Sequence, residues 1–300
     1  MGELPLVSIC MLTFNHEKYI EQAINGVLMQ QCDFNFELVL SNDCSSDKTH
    51  QIIQKTLKGN SKSLVINYYN HKQNQGMMAN FLFALKKCKG KYIALCDGDD
   101  FWTNKLKLQK QIDFLNSNPE YVACFHNAIV IEENDVKKDY HTWETERTVD
   151  ISSIIIHGGG IYPTSSFIYR NTAELLSLDF EINAGDTLLI YSLLDKGLFY
   201  YMKEKMSVYK KHSQGVYSSI KKDKNKIYRD IRSNLNLLQQ YKKTTPNFLN
   251  DFNSAIQKQL HRLSNNLGSK YIFLLYLDGA LDFSNLKLFL IGKFKTKYIE

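Results

Sequence analysis

The fold is decided by residues 90–102, which read GKYIALCDGDDFW. The apolar run from Tyr92 to Cys96 has the length and composition of a buried strand. It ends in the carboxylates of Asp97, Asp99 and Asp100, and this much negative charge is costly there unless a positive group lies nearby. Two aspartates in a short loop suit a hard divalent cation with open positions for phosphate oxygens. An acidic turn is the alternative.

Outward from this strand, the first half of the chain alternates strand and helix patterns. Strands are predicted over 6–13, 36–41, 64–69, 92–96 and 121–131, and helices over about 17–31, 46–58, 77–87 and 106–118. The alternation predicts an α/β fold with a Rossmann-like, mostly parallel sheet flanked by helices. Ligands of such sheets bind beyond the carboxyl ends of the strands, where Thr13, Asp43 and Asp97 lie.

The charge is distributed unevenly along the 300 residues. Residues 201–300 hold 19 Lys/Arg and 7 Asp/Glu, a net charge of +12, whereas residues 1–200 hold 18 and 24, a net charge of −6. This asymmetry predicts two roles, catalysis in a domain of residues 1–219 and docking by a basic, mainly helical region of residues 220–300. No nucleic-acid partner is expected.

The cysteines and the N-terminus indicate the compartment. The six cysteines show no Cys-x-x-Cys pair and no zinc-like spacing, and the chain begins without a signal-peptide pattern. Reduced thiols in the cytoplasm are therefore expected. The apolar stretches at 271–277 and 286–291 are too short to span a bilayer.

Several segments together form a recognisable set of motifs. No Walker A loop or Gly-x-Gly-x-x-Gly follows the first strand, so the phosphate cradle of NTPases and dinucleotide enzymes is absent. The segments are Thr13-Phe14-Asn15, 41–47 (SNDCSSD), 74–76 (NQG) with Asn80, 97–100 (DGDD), Gly185-Asp186 and 209–216 (YKKHSQGV). In this order and spacing the chain resembles family 2 glycosyltransferases over about residues 6–219. The resemblance implies a GT-A fold and an inverting, nucleotide-sugar-dependent transferase.

The resemblance implies a nucleotide site at the strand ends. Thr13, Asn15, Asp43 and Asp97 would contact the nucleotide. Asp43 would accept a hydrogen bond from the imide of uracil, and Asp97 would lie near the ribose. Uridine is the base preferred in the family, so a UDP-sugar is the expected donor.

The resemblance also implies the residues that carry the chemistry. Asp99 would ligate a divalent cation, Mn2+ or Mg2+, at the diphosphate, and His212 would approach the metal or the diphosphate. Asp186 would be the general base that deprotonates the acceptor hydroxyl. One direct displacement then inverts the anomeric centre. Because three carboxylates repel each other without a cation, Asp99→Asn is expected to leave the apo protein no less stable.

Four positions depart from the family pattern without removing a residue assigned to chemistry. A common Pro is Leu12, the first Asp of an Asp-Asp pair is Asn42, a usual Gly is Cys44, and an acid before the base is Gly185. The Gln-x-x-Arg-Trp motif of processive synthases is also missing, so a non-processive enzyme that adds one hexose or N-acetylhexosamine is expected.

Each assignment has a structural alternative. Asp43 could stabilise a turn, Asp186 could cap its helix and His212 could be a surface histidine. His126 and Asn127 are as consistent with a structural role as with an acceptor-facing one, and His126 is the next candidate base. Core packing is the default for Trp102 and Tyr162, which could otherwise line the sugar site.

The function expected from these features is transfer of a sugar to a glycan or lipid-linked acceptor in surface polysaccharide synthesis. A sugar nucleotidyltransferase is the nearest alternative, but its Gly- and Arg-rich loop is absent from residues 13–16. A phosphatase of the haloacid dehalogenase type needs Thr where Phe101 stands. A non-catalytic sugar-binding module is the third alternative. For residues 220–300, docking on the inner face of the cell membrane competes with packing on the core or a homodimer interface.

Overall fold

The computed structural model describes residues 4–58, 64–133, 136–171, 184–213, 215, 220, 223–277 and 281–297. The strands are β1 (Val7–Thr13), β2 (Phe36–Asn42), β3 (Val65–Asn70), β4 (Tyr92–Leu95), β5 (Phe101–Trp102), β6 (Tyr121–Ile131), β7 (Lys137–Asp139), β8 (Arg147–Val149), β9 (Ile168–Arg170) and β10 (Leu198–Lys210). The helices are α1 (Ile20–Leu28), α2 (Thr49–Lys58), α3 (Met77–Lys87), α4 (Lys107–Ser117), α5 (Ile151–His157), α6 (Gly185–Ser192), α7 (Lys224–Thr244), α8 (Leu249–Leu267), α9 (Lys270–Leu277) and α10 (Phe283–Lys297).

The described strands form one sheet in the order β3-β2-β1-β4-β9-β6-β10-β5, with β7 on β6 and β8 on β10. The first four of these strands are parallel to one another, with Val7 opposite both Phe36 and Tyr92. Their apolar side chains, together with those of α1 and α4, are buried in one core. The predicted parallel α/β sheet is confirmed.

The other half of the sheet mixes directions. β9 runs antiparallel to β4 and β6, whereas β6 and β10 are parallel. β10 is thirteen residues long and pairs with β6, β5 and β8, and its pairing with β6 shifts register near Lys205. Its last residue, Lys210, comes immediately before the segment of His212.

The chain divides into two compact units that are discontinuous in sequence. Unit 1 comprises residues 1–149, 162–178 and 196–212, and contains the whole sheet. Unit 2 comprises residues 150–161, 179–195 and 213–300, and contains α5, α6 and the four C-terminal helices. The predicted division into a catalytic domain of residues 1–219 and a basic helical region of residues 220–300 stays a prediction.

Two helices of unit 2, α7 and α8, are amphipathic along most of their length. α7 buries Ile227, Ile231 and Leu235, and α8 buries Phe252, Ile256 and Leu260, so each turns one apolar face inward. The helical region predicted beyond residue 220 is present, with a break around Pro246. Within the described helices, none has the length and hydropathy that crossing a bilayer requires.

Candidate active site

The carboxyl ends of β1, β2 and β4 meet in unit 1. The backbone N–H of Asp43 donates to the carbonyl oxygen of Thr13 at 3.0 Å, and the N–H of Gly98 donates to that of Leu12 at 2.7 Å. A Cβ on Gly98 would lie 2.8 Å from Thr13 Oγ1 and 3.0 Å from His16 Nδ1. Only glycine therefore lets the acidic loop approach β1 this closely.

Both carboxylate oxygens of Asp43 accept hydrogen bonds from the backbone. Oδ1 accepts from the N–H of Gln75 at 2.6 Å and Oδ2 from the N–H of Gly76 at 3.0 Å. The side chain of Asn74 also donates to the carbonyl oxygen of Asp43 at 3.1 Å. This explains why the segment 74–76 accompanies Asp43 in the motif set: it holds the buried carboxylate in one orientation.

The loops after β1 and β2 brace each other through Asn15. Its N–H donates to Ser45 Oγ at 2.9 Å, and its Oδ1 accepts from the N–H of Ser46 at 2.8 Å. Asn15 and Cys44 have φ angles of 57° and 61°, in the left-handed region. This conformation explains the glycine usual at position 44, since Cys must adopt it with a Cβ.

Asp99 and His212, 113 positions apart in sequence, are hydrogen-bonded. His212 Nε2 lies 3.0 Å from Asp99 Oδ2, and His16 Nε2 lies 3.7 Å from the same oxygen. Burial raises the pKa of Asp99, but the hydrogen bond from His212 and the charge of both imidazoles outweigh it, so the pKa ends below its usual value. The carboxylate is therefore ionised and paired in the apo protein.

Asp100 is the residue of the acidic loop whose pKa is raised by burial and by the neighbouring carboxylates. Its side chain is buried, and burial together with the charges of Asp99 and Asp97 raises its pKa well above the usual value. Its Oδ1 accepts the N–H of Lys210 at 3.0 Å, while the carbonyl oxygen of Asp97 accepts the N–H of Asp100 at 3.1 Å. The loop is thus bound to the end of β10.

The donor set around Asp99 fits a divalent cation that completes its shell on phosphate. One carboxylate oxygen and one imidazole nitrogen converge within 3.0 Å, and both are ligand types that such cations accept. Among the described residues no group of three His, Cys, Asp or Glu side chains is arranged to hold an ion. The protein would therefore supply two ligands, and the remaining positions are open to the diphosphate of a donor.

Asp186 lies in unit 2, as the second residue of α6. Ala184 is the N-cap, so Asp186 does not cap the helix by position, although an acid in the first turn favours the helix dipole. Its Oδ1 accepts the N–H of Thr187 at 2.7 Å. Burial raises the pKa of Asp186 above its usual value, and a raised pKa strengthens a carboxylate as a base.

The remaining candidates are part of the core of unit 1. His126 is fully buried with Nδ1 2.7 Å from the carbonyl oxygen of Asn127, and Asn127 exchanges hydrogen bonds with the backbone of His141. Trp102 Nε1 donates to the carbonyl oxygen of Ser165 at 2.7 Å, and Tyr162 stacks on a neighbouring ring. These four side chains have structural partners.

Sequence reasoning missed His16 and Tyr19. Both belong to the turn into α1, and the Tyr19 ring centroid lies 4.8 Å from that of His212. The sequence feature that could have identified His16 is its position directly after the Thr13-Phe14-Asn15 motif.

The family model described as Glycosyl transferase family 2 matches residues 8–174. The chain belongs to this family. The glycosyltransferase is 29% identical over 223 residues to an uncharacterized protein of Mycobacterium tuberculosis, covering 74% of this chain but only 63% of the relative. It is 28% identical over 152 residues to the GalNAc(5)-diNAcBac-PP-undecaprenol beta-1,3-glucosyltransferase of Campylobacter jejuni, covering 50% and 46%.

Solved structures share the fold of the glycosyltransferase. Residues 1–349 of Staphylococcus aureus TarS, in complex with UDP-GlcNAc, match with a TM-score of 0.56 at 20% identity, covering 86% of this chain and 81% of the other. The mannosyltransferase PcManGT of Pyrobaculum calidifontis, in complex with GDP-Man and Mn2+, matches with a TM-score of 0.59 at 13% identity, covering 99% and 82%. At these identities the likeness shows the fold alone, and the predicted GT-A fold is confirmed.

Proposed function

We propose that the protein is an inverting, non-processive, metal-dependent glycosyltransferase. It moves one sugar from a nucleotide donor, UDP-linked, to a glycan or lipid-linked acceptor in surface polysaccharide synthesis. The observation that carries this proposal is the hydrogen bond between Asp99 and His212 at the carboxyl ends of the strands, beside Thr13 and Asp43. The donors named for TarS and PcManGT support a nucleotide-sugar, and the glucosyltransferase of Campylobacter supports a polyprenyl-linked acceptor.

The polar groups assigned to the nucleotide site can still accept or donate hydrogen bonds in the folded protein. The oxygens of Asp43 accept one backbone N–H each, and a carboxylate oxygen has a second lone pair that can accept the uracil imide. Thr13 Oγ1 is buried and has no hydrogen-bond partner within the described part of the chain, so a donor hydroxyl or amide can satisfy it. Asn15 and Asp97, which follow β1 and β4, are the other two residues assigned to contact with the nucleotide.

Asp99 and His212 would hold the divalent cation, Mn2+ or Mg2+. When bound, such a cation neutralises charge on the leaving diphosphate. Asp186 takes the proton from the acceptor hydroxyl, and its raised pKa suits this task. Displacement in one step inverts the configuration at the anomeric carbon.

Asp99→Asn is expected to lose cation-dependent donor binding. Titration of UDP-GlcNAc by calorimetry, with and without Mn2+, measures it, and the parent should bind at least tenfold more tightly with the cation. The variant should show no such gain. Exposed Asp33→Asn is the matched control and should behave as the parent.

Two opposing contributions decide the stability of this variant. Asp99 is held by His212 and His16, whereas its charge raises the pKa of the buried Asp100. Because the substitution removes both, the thermal midpoint of the apo variant should stay close to that of the parent. Equal Mn2+ dependence in parent and variant would remove the metal assignment. Donor binding without sugar transfer to any acceptor would favour a sugar-binding module, and release of pyrophosphate from a sugar phosphate and UTP would favour a nucleotidyltransferase.

We also propose that unit 2 contacts an anionic membrane from the cytoplasmic side. Seven large apolar side chains of α9 and α10 are exposed: Phe273, Leu274, Tyr276, Leu277, Phe283, Leu288 and Ile291. Exposed Lys270 and Lys287 lie on the same two helices. Basic residues near an anionic surface contribute about 1 kcal/mol each, and a shallow apolar face adds to this.

Vesicle co-sedimentation tests this surface. The parent should bind vesicles rich in phosphatidylglycerol, release them as salt rises, and ignore phosphatidylcholine. Leu277→Ser/Phe283→Ser should weaken binding by at least about 10²-fold, since each buried side chain is worth about 1.5–3 kcal/mol and about 1.4 kcal/mol is tenfold in affinity. Val65→Ser, also at an exposed apolar residue, is the control. A parent that ignores both vesicles contradicts the proposal, and loss of a dimer in the double variant assigns the face to self-association.

A further inference from the structure

A run of three glycines in unit 2 lies against the side chain of Asp186. These glycines form a 3-10 helix, Gly158–Ile161, that follows α5. A Cβ on Gly159 would lie 2.2 Å from Asp186 Cγ and 2.3 Å from its Oδ2. Cβ atoms do not approach other atoms so closely. The carboxylate therefore occupies the space that any other residue at position 159 would need for its side chain.

One hydrogen bond connects the same two segments, and a second holds the Asp186 side chain within its own segment. The N–H of Gly159 donates to Thr187 Oγ1 at 3.1 Å, and the N–H of Thr187 donates to Asp186 Oδ1 at 2.7 Å. Gly158 has a φ of +55°, and a Cβ there would lie 2.9 Å from Thr187 Cγ2. Oδ1 is thus held by Thr187, while Oδ2 faces the backbone of Gly159.

We propose that Gly159 is a positioning residue for sugar transfer, because only a residue without a side chain leaves room for the Asp186 carboxylate in the orientation in which Thr187 holds it. The inference rests on the proposed function, in which this carboxylate is the general base. Orientation matters because a misplacement of about 1 Å in a reacting group can cost about 10²-fold in rate. A larger residue at 159 would leave the base present but turned away.

Gly160 provides a matched control. It belongs to the same 3-10 helix, yet a Cβ there meets no atom within 4 Å. Gly159→Ala and Gly160→Ala make the same chemical change one residue apart, and only the first displaces Asp186. Both remove the same backbone freedom from the unfolded chain, so a difference between them reports the native contact.

The experiment compares kcat, donor KM and thermal midpoint for the full chain, with UDP-GlcNAc as the donor and a polyprenyl-diphosphate-linked N-acetylhexosamine as the acceptor. We expect Gly159→Ala to lower kcat about 10²-fold with the KM for the donor unchanged. Gly160→Ala should match the parent in kcat and in the KM for the donor, and its thermal midpoint should equal or slightly exceed the parental one. A parental kcat in Gly159→Ala overturns the proposal.

A double-mutant cycle separates positioning from general packing. In the Asp186→Asn background Gly159→Ala should cost less than twofold, because the base it positions is already gone. A purely structural glycine would lower kcat equally in both backgrounds, which overturns the proposal. Parental activity in Asp186→Asn would instead contradict the proposed function, so the two failures are distinguishable.

Thr187→Val carries the test if Gly159→Ala does not fold. Valine keeps the shape of Thr187 but removes the Oγ1 that accepts the N–H of Gly159. We expect about a tenfold lower kcat with the donor KM unchanged. An unchanged kcat in this variant overturns the proposal.

Discussion

Asp186→Asn should lower kcat by about 10²–10⁴-fold, the contribution that a general base makes to proton transfer. The amide keeps the size of the side chain and its hydrogen bond from the N–H of Thr187, so the local geometry survives. Affinity for UDP should stay within about twofold, since the base acts on the acceptor. Initial rates at saturating donor and acceptor, together with UDP titration, measure both effects.

The same substitution should not lower stability at neutral pH. Burial raises the pKa of Asp186 in the folded state above its unfolded value. The native state therefore binds the proton more tightly than the unfolded chain, and ionisation costs stability as pH rises through the folded pKa. The Asn variant escapes this cost, so its thermal midpoint should equal or exceed that of the parent at pH 7. The difference should vanish at a pH below the unfolded pKa.

Asp33→Asn, at an exposed side chain, is the control for both arms. It should leave rate and midpoint unchanged. Unfolding of Asp186→Asn, or loss of its UDP binding, would make Asp186 structural. Turnover equal to that of the parent would place the base on another residue.

The parallel half of the sheet was predictable because its strands and helices follow simple periods. The predicted strand at 36–41 and helix at 77–87 agree with β2 and α3 within one residue. Since parallel strands place their carboxyl ends together, the proximity of Thr13 and Asp43 followed from topology. The antiparallel pairs of β9 were not predictable, because three-residue strands carry no period.

Contacts between distant segments were predictable only where the motifs named both members. The resemblance placed Asp99 and His212 at one metal, and the structure brings them together. The backbone N–H groups that bind Asp43 leave no trace in side-chain identity, and neither does the close approach of Asp186 to Gly159. Such contacts depend on tertiary geometry, which periodicity does not encode.

Helix α4 shows a second limit. Leu106 is the first apolar residue of the helix predicted at about 106–118, but it is the N-cap of α4 and is 39% exposed. Lys107 is buried in its place, alongside Leu108 and Gln111. A lysine is rarely fully buried. Residue type alone therefore predicts that Leu106 is buried and Lys107 exposed, and the structure shows the reverse. Burial of the Lys107 ammonium has a large effect on the free energy of unfolding.

Lys107→Met should stabilise the protein near pH 7 by about 3 kcal/mol. The Lys107 side chain is fully buried, and its Nζ has no hydrogen-bond partner within the described part of the chain. Burial lowers its pKa from 10.5 to about 7, and at about 1.36 kcal/mol per pKa unit this costs about 5 kcal/mol. The ring of Trp102, 4.1 Å from Nζ, offsets about 2 kcal/mol through a cation–π contact. Met fills similar volume without charge.

The pH dependence separates this effect from a general gain in packing. A lysine whose folded pKa is depressed contributes stability that is present above its unfolded pKa and is lost as pH falls towards the folded pKa. The parent should therefore gain on the Met variant between about pH 7 and pH 10.5, and the curves should converge at the alkaline end. Urea unfolding at intervals across this range measures the difference in the free energy of unfolding.

Lys110→Met, on the exposed face of α4 where Lys110 pairs with Glu204, is the control and should stay within about 0.5 kcal/mol of the parent at every pH. Two results would contradict the prediction: a free energy of unfolding of the Met variant that runs parallel to the parental one across the pH range, or one that lies below it near pH 7. Either would show that a partner in the folded protein neutralises Lys107 at no cost.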